Sequence, residues 1–338
     1  NSAEEQLVRI ELRFRAGRWY EPQPAISRAV CNIMRKGTST KTAKQIADIV
    51  EFYGAQMDVQ TGQDYTSFVI FCLSKHLDKL MPVAEEILLE ANYPQDEHES
   101  TFDNIQSGEL IQFQRKHYSP GDATIFVAGA VTENTLSLLE KHFGKYQPNG
   151  KIISATDKSI HTDPQHKHYI DKDDSVQSSV RIGTLSISKT HPDFAELNVL
   201  NTAFGGYFGS RLMTNIREDK GYTYGIYSTI VHYVHSSYFS IETEVGNEVC
   251  AAAIAEVYKE MDALKTTAID EEELTIIKNY MMGGLLRATD GPFNRINVVK
   301  NMVMSGLTTS YFDGLANAIK TVTAERLMEL ANQYFDYE

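Results

Sequence analysis

Val8-Arg9-Ile10-Glu11-Leu12-Arg13-Phe14-Arg15 alternates apolar and charged residues without a break. Only an extended strand sends successive side chains to opposite faces. Val8, Ile10, Leu12 and Phe14 are therefore expected to meet a core, and Arg9, Glu11, Arg13 and Arg15 to meet water. The pattern returns later in the chain. Val8, Leu12 and Phe14 are matched 168 positions on by Val176, Val180 and Ile182, and the same offset carries Pro24 and Gly37, which bracket an apolar helical stretch, onto Pro192 and Gly205. Gln95-Asp96-Glu97-His98-Glu99, with its acids where a helix opens, corresponds at an offset of 174 to Ile269-Asp270-Glu271-Glu272-Glu273. Landmarks that stay collinear point to two homologous halves.

Each half reads as strand, helices, hairpin, helices. In the first, helical periodicity covers 25–36 and 42–53, Gly54 stops the second helix, and strands near 56–61 and 64–73 are joined at Thr61-Gly62-Gln63. A helix at 76–91 holds Pro82, which is expected to begin or kink it. Another helix is expected to open at Asp96, followed by a strand at 122–131 and a helix at 132–143. The second half repeats the order, with strands at 176–187, 222–231 and 236–245 and helices at 191–204 and 208–218, then helices to the end. The fold class is α+β, two homologous domains each built of an antiparallel sheet with helices layered on one face. The domains are drawn at 1–150 and 169–338, with the polar, proline- and histidine-containing stretch 151–168 as linker.

A length of 338 residues suits two domains with a core each. The formal charge of −13, with no basic stripe, argues against a nucleic-acid partner and is compatible with basic peptides. No apolar run approaches a membrane span, and no basic-then-apolar leader stands at the amino terminus as given. Cys31, Cys72 and Cys250 are too few and too scattered for a disulfide framework, which favours a reducing compartment. Cytoplasm, periplasm and organelle matrix all remain open.

The chemistry-bearing stretch is Arg217-Glu218-Asp219-Lys220-Gly221-Tyr222-Thr223-Tyr224. Leu212, Met213 and Ile216 have helical spacing, Gly221 stops the helix, and Tyr222, Tyr224 and Ile226 alternate as in a strand. Arg217 and Tyr224 are thereby placed to converge, and both donate hydrogen bonds to an anionic oxygen. Taken alone, a motif this short reads first as an Arg217 pairing with a neighbouring acid and a Tyr224 that is a half-buried strand aromatic, and the convergent reading needs support from elsewhere in the chain.

The order of strand, helix ending in Lys36-Gly37-Thr38, helix and hairpin, together with Phe204-Gly205-Gly206-Tyr207-Phe208-Gly209-Ser210-Arg211-Leu212 before Arg217 to Tyr224, resembles the pitrilysin/insulinase family of inverted-motif zinc peptidases, which includes the mitochondrial processing peptidase. The resemblance covers nearly the whole chain. It implies paired α+β domains that close around an unfolded peptide. Catalytic members carry His-x-x-Glu-His just before Lys-Gly-Thr, where two histidines hold zinc and the glutamate activates water. At those five positions this chain has Arg28, Ala29, Val30, Cys31 and Asn32. A guanidinium repels a metal, an amide oxygen is a poor zinc donor, and a thiol is a weak substitute for a carboxylate base. The third ligand implied by the family falls on Glu109, which is present. Two placements are open for Arg28: an ion pair with Glu109 where the metal would sit, or extension into solvent.

Arg217 and Tyr224, by contrast, match the family pattern position for position. The resemblance gives them the grip on substrate and tetrahedral oxyanion, with Tyr222 a packing neighbour. A clamp without a zinc site implies a non-catalytic, substrate-clamping subunit of a two-chain zinc metallopeptidase that acts on peptides or unfolded polypeptides. No cofactor is expected in this chain. The partner, a zinc-bearing chain of the same family, supplies the metal, and a homodimer of this chain is a further possibility. An inner sheet edge is also available for pairing with extended substrate. The alternatives are a purely structural or peptide-binding scaffold, against which the retained pair weighs, and an independent enzyme using Cys31 as nucleophile or His161, His166 and His168 for metal. Cys31 lies on the apolar stretch Ile26, Val30, Ile33, Met34, which favours an inert thiol, and the three histidines lack ligand spacing. His232 and His235 point to opposite strand faces. One departure from the family stands out: only eight residues separate Glu109 from Tyr118-Ser119-Pro120, where the resemblance implies a long helical segment.

Overall fold

The computed structural model of the chain describes residues 6–97, 102, 104–148, 160 and 162–336. They form two compact units, Asn1–Ser159 with Asp290–Lys300, and Ile160–Thr289 with Asn301–Glu338.

The first unit opens with β1 (Leu7–Phe14), followed by α1 (Ile26–Ile33) and α2 (Ala43–Phe52). Thr42 starts α2 through a capping box, its hydroxyl accepting from Gln45 N while Gln45 Oε1 accepts from Thr42 N at 2.9 Å. The hairpin β2 (Gln56–Thr61) and β3 (Thr66–Leu73) leads into α3 (Leu77–Glu90), which holds Pro82 in its interior. The chain continues through α4 (Ser107–His117), β4 (Thr124–Gly129) and α5 (Glu133–Leu139), the last extended by a π-helical turn, Glu140–Gly144. The helix expected to open at Asp96 is instead a 3-10 turn, Gln95–Glu97, and the α-helix begins at Ser107. Every pairing in the sheet is antiparallel, in the order β2-β3-β1-β4. Val8, Ile10, Leu12 and Phe14 are completely buried in its core.

The second unit carries β5 (Gln177–Leu185), then α6 (Phe194–Asn201), which runs on into the π-helical turn Thr202–Gly206. A second π-helical segment, Met213–Asp219, precedes β6 (Thr223–His232) and β7 (Ser237–Gly246). Helices follow: α7 (Cys250–Thr266), α8 (Glu271–Ala288), α9 (Gly291–Met304), whose part up to Lys300 belongs to the first unit, α10 (Thr309–Thr321) and α11 (Ala324–Tyr334). The described strands pair antiparallel in the order β5-β7-β6. Phe204, Phe239 and Phe335 knit the core, with ring centroids 5.0 to 6.2 Å apart. Among the described residues no helix is long and apolar enough to cross a membrane.

The charged face of β1 meets water only in part: Arg15 is exposed and Arg9 and Arg13 are half-buried, but Glu11 is covered. Glu11 is only 2% exposed, because residues 290–300, drawn from sequence to the second domain, belong to the first unit and cover that face. Lys300 Nζ reaches both Glu11 oxygens at 3.0 and 2.9 Å, Ser67 Oγ donates to Oε1 at 2.8 Å, and Arg9 Nη2 donates to Oε2 at 3.0 Å. Phe293 packs edge-on against Phe71 at 5.3 Å. Burial alone raises the Glu11 carboxyl, but the bonds from Lys300 and Ser67 outweigh it and hold the group below its ordinary range.

Candidate functional site

Helix α1 presents the five positions of the missing ligand motif in an arrangement that fits no metal. Arg28 and Asn32 point outward and are exposed, while Ala29, Val30 and Cys31 face the core. Burial pushes the Cys31 thiol up to about 12, so at neutral pH it is protonated and neither ligates nor attacks. Glu109 is committed elsewhere. It is the third residue of α4, where its Oε2 accepts from the Gln106 backbone N at 2.8 Å in a capping box, and its Oε1 accepts from Gln23 Nε2 at 3.1 Å. The expected Arg28–Glu109 ion pair is therefore not formed. Both carboxylate oxygens already have donors, and a guanidinium left in water bears no desolvation cost. Among the described residues, no group of three or more His, Cys, Asp and Glu is placed to hold a metal ion.

The Lys36-Gly37-Thr38 turn beside these positions has structural work. Thr38 and Thr40 hydroxyls each donate to Glu86 Oε1 at 2.5 Å, Lys41 pairs with Glu86, and Asn92 Nδ2 donates to the Thr38 carbonyl at 2.9 Å. These bonds overcome the effect of burial and take the Glu86 carboxyl down to about 2. The turn is thus tied to the end of α3 whether or not a metal is near.

In the second unit, the helix-to-strand connection holding Arg217 and Tyr224 is locally over-determined. Gly221 adopts φ +67°, a left-handed conformation open to glycine at no steric cost, and the Tyr222 and Gly221 amides close back on the Ile216 and Arg217 carbonyls at 3.0 and 3.1 Å. Beyond it the strand does not alternate simply. The β6–β7 register shifts between Thr223 and Ile226, a bulge that leaves Tyr224 and Gly225 outside the regular pairing. Thr223 Oγ1 accepts from Gly225 N at 3.1 Å, and Thr243 Oγ1 donates to the Gly225 carbonyl at 2.9 Å, which pins the bulge. Ile226 is consequently buried while Tyr224 stands 91% exposed, and Tyr222 packs against the core.

Arg217 is engaged on two sides. Its guanidinium carbon lies 4.6 Å from the Phe208 ring centroid, and its Nη1 pairs with Glu218. Among the described residues no hydrogen bond joins Arg217 to Tyr224. Phe208, quoted within the motif and expected at the start of the helix 208–218, was given no role; the structure places it in a turn, with helix only from Arg211.

A cleft of about 680 Å³ adjoins the same segment, and it too lay beyond the sequence reading. Arg211 on its wall binds Glu273 through Nε at 3.0 Å and Nη2 at 2.8 Å, and Asn215 Nδ2 bridges Glu256 and Glu260 at 3.1 and 2.7 Å. The acid-rich opening of α8 was visible, but its arginine partner is remote in the chain. Gly205, in the preceding π-helical turn, has no room for a side chain, since an added Cβ would come within 2.6 Å of Ser228 Oγ and 2.7 Å of Ser228 N.

Of the histidines, His161 lies outside the described residues and His166 is exposed. His168 reaches only Asp163, at 3.7 Å. His232 is turned onto Ser237 Oγ at 3.0 Å and Phe194 at 4.5 Å.

Comparison with known proteins places this geometry. The family description "Peptidase M16 inactive domain" matches residues 104–281, and "Insulinase (Peptidase family M16)" matches residues 1–120. The chain is 25% identical over 356 residues to an uncharacterized zinc protease, YmxG, of Bacillus subtilis, covering 92% of this chain and 85% of that one. It is 22% identical over 367 residues to a Helicobacter pylori protein named a non-peptidase homolog, covering 94% of this chain and 84% of that one. Among solved structures it resembles a peptidase M16 inactive domain from Pseudomonas fluorescens, with TM-score 0.82, 19% identity, and 98% and 91% of the two chains covered. A protease from Helicobacter pylori gives 0.81 at 16% identity, with 98% and 92% covered.

Proposed function

The chain belongs to peptidase family M16, the insulinase family, and on that premise we propose that it is a non-catalytic, substrate-clamping subunit of a two-chain zinc peptidase acting on unfolded polypeptides. One contrast carries the reading. The residues at the ligand positions of α1 are a solvated guanidinium, a buried inert thiol and an exposed amide, while Arg217 and Tyr224 are both retained, the first half-buried in the π-helical segment before β6 and the second turned outward by the bulge. The likeness to an inactive domain, and to a relative named a non-peptidase homolog, supports the first half of that contrast.

In this reading the partner chain, a zinc-bearing relative, supplies the metal and its ligands. Arg217 and Tyr224 supply hydrogen-bond donors to the substrate where charge develops. Preorganised donors of this kind contribute on the order of 10²-fold or more to rate each. The test is reconstitution with a zinc-bearing M16 chain and an assay of peptide cleavage. Arg217→Ala in this chain is expected to lower the mixed activity by about 10²-fold, with the partner's zinc content unchanged. Undiminished cleavage by the Arg217→Ala mixture would remove the clamp assignment.

A further inference from the structure

Phe208 is an apolar ring left 62% exposed, yet its position is not loose. It lies in a turn closed by the Ser210 amide donating to the Tyr207 carbonyl at 3.1 Å. The turn is anchored on both sides, by the Tyr207 ring tilted against Tyr280 with centroids 4.8 Å apart and by Arg211 bound bidentately to Glu273. A scattered surface phenylalanine needs no explanation. This one lies under the guanidinium of the proposed clamp.

We propose that Phe208 is the positioning residue for Arg217. Arginine has a long, many-rotamer side chain, and an oxyanion donor contributes most when it is already oriented. Stacking on a ring face fixes the plane of the guanidinium without using its N–H groups, which remain free along its edge. Glu218 engages only Nη1. The ring thus holds the group in place and leaves Nε and Nη2 for a carbonyl or carboxylate oxygen of a bound polypeptide. This inference rests on the reading of Arg217 as the substrate clamp.

The experiment compares Phe208→Tyr and Phe208→Trp, which keep an aromatic face, with Phe208→Leu, which keeps apolar bulk without one. Two quantities are read on the full chain. The first is the Arg217 Nε–Hε resonance, assigned by its loss in Arg217→Lys, which a stacked ring shifts upfield. The second is binding of fluorescein-labelled β-casein, an unfolded polypeptide, followed by anisotropy. Phe208→Leu is expected to abolish the upfield shift and weaken casein binding about two- to five-fold, with an unchanged melting temperature, while Tyr and Trp preserve both signals. An unmoved Hε resonance in Phe208→Leu, or casein binding equal to wild type while Arg217→Ala binds weakly, would overturn the positioning role and leave the clamp standing. A wild-type chain that does not bind casein, or an Arg217→Ala chain that binds it equally well, removes the clamp reading and this inference with it.

Discussion

A guanidinium paired through one nitrogen with a neighbouring carboxylate has part of its charge offset before it grips anything else. The Arg217–Glu218 pair is partly exposed on both sides, 30% and 54%, and pairs of this kind contribute at most about 1 kcal/mol. Displacement by an incoming oxygen is therefore cheap, and Glu218 acts as a weak competitor. Glu218→Gln is expected to tighten casein binding by up to about five-fold at low salt, with the gain shrinking as ionic strength rises; a loss of binding instead would show that Glu218 supports Arg217. Thiol chemistry gives a second prediction at this scale. Cys31, held near 12 by burial, and Cys72, near 11, should resist iodoacetamide in the native chain, while the partly exposed Cys250 is alkylated first, as peptide mass mapping would read. Rapid labelling of Cys31 would reopen a nucleophilic role. Glu109 shows how a residue is misread. Its spacing suggested a surviving ligand in need of a charge partner, but Gln106-x-x-Glu109 is also a capping box, and that local rule satisfied the carboxylate before any remote arginine was required.

At the scale of elements, a strand reports its own two faces but not what will cover them. The alternation in β1 placed Val8, Ile10, Leu12 and Phe14 in the core correctly. The fate of the other face was set by residues 290–300, almost the whole chain away, and nothing in the β1 sequence could carry that information. Lys300→Met is expected to strip the buried Glu11 of its closest cation and destabilise the first unit by about 3 kcal/mol, read from urea unfolding at pH 7. The double change with Glu11→Leu should recover much of that loss, since two apolar groups leave no charge to satisfy. The turn before β6 was read correctly as a glycine stop, yet the bulge after it was not. Gly225 marks the place, but only pairing with β7 decides which residue the bulge turns outward. Gly221→Ala puts a side chain at φ +67° and should cost about 1–2 kcal/mol.

At the scale of the whole molecule, each of the two units shields a histidine, the buried His117 in the first and the half-buried His232 in the second, in a way that couples its stability to acid. In the first, His117 packs tilted against Phe113 with ring centroids 4.5 Å apart, Nδ1 3.1 Å from the Arg15 carbonyl and Nε2 without a hydrogen-bond partner. In the second, His232 has Ser237 Oγ at Nδ1, Phe194 beside it, and Nε2 equally without a partner. Burial, helped by the charges of Lys116 and Lys189 respectively, takes both from the ordinary 6.5 down to about 4. The unfolded chain then binds protons before the folded one does. The stability these neutral imidazoles contribute is complete above pH 6.5 and is lost as pH falls from there toward 4. The depressed carboxylates Glu11 and Glu86 behave likewise at lower pH, since their contribution is present above the ordinary 4.5 and declines below it. Melting temperature should accordingly be flat between pH 8 and 7, begin to fall below about 6.5, and fall again below about 4.5. His117→Gln, which retains a donor for the Arg15 carbonyl but cannot take a charge, should flatten the upper limb for the first unit and leave the lower one intact. A melting profile that stays level down to pH 4.5, or an unchanged upper limb in that variant, would mean the shielded imidazoles are protonated in the folded chain at little cost.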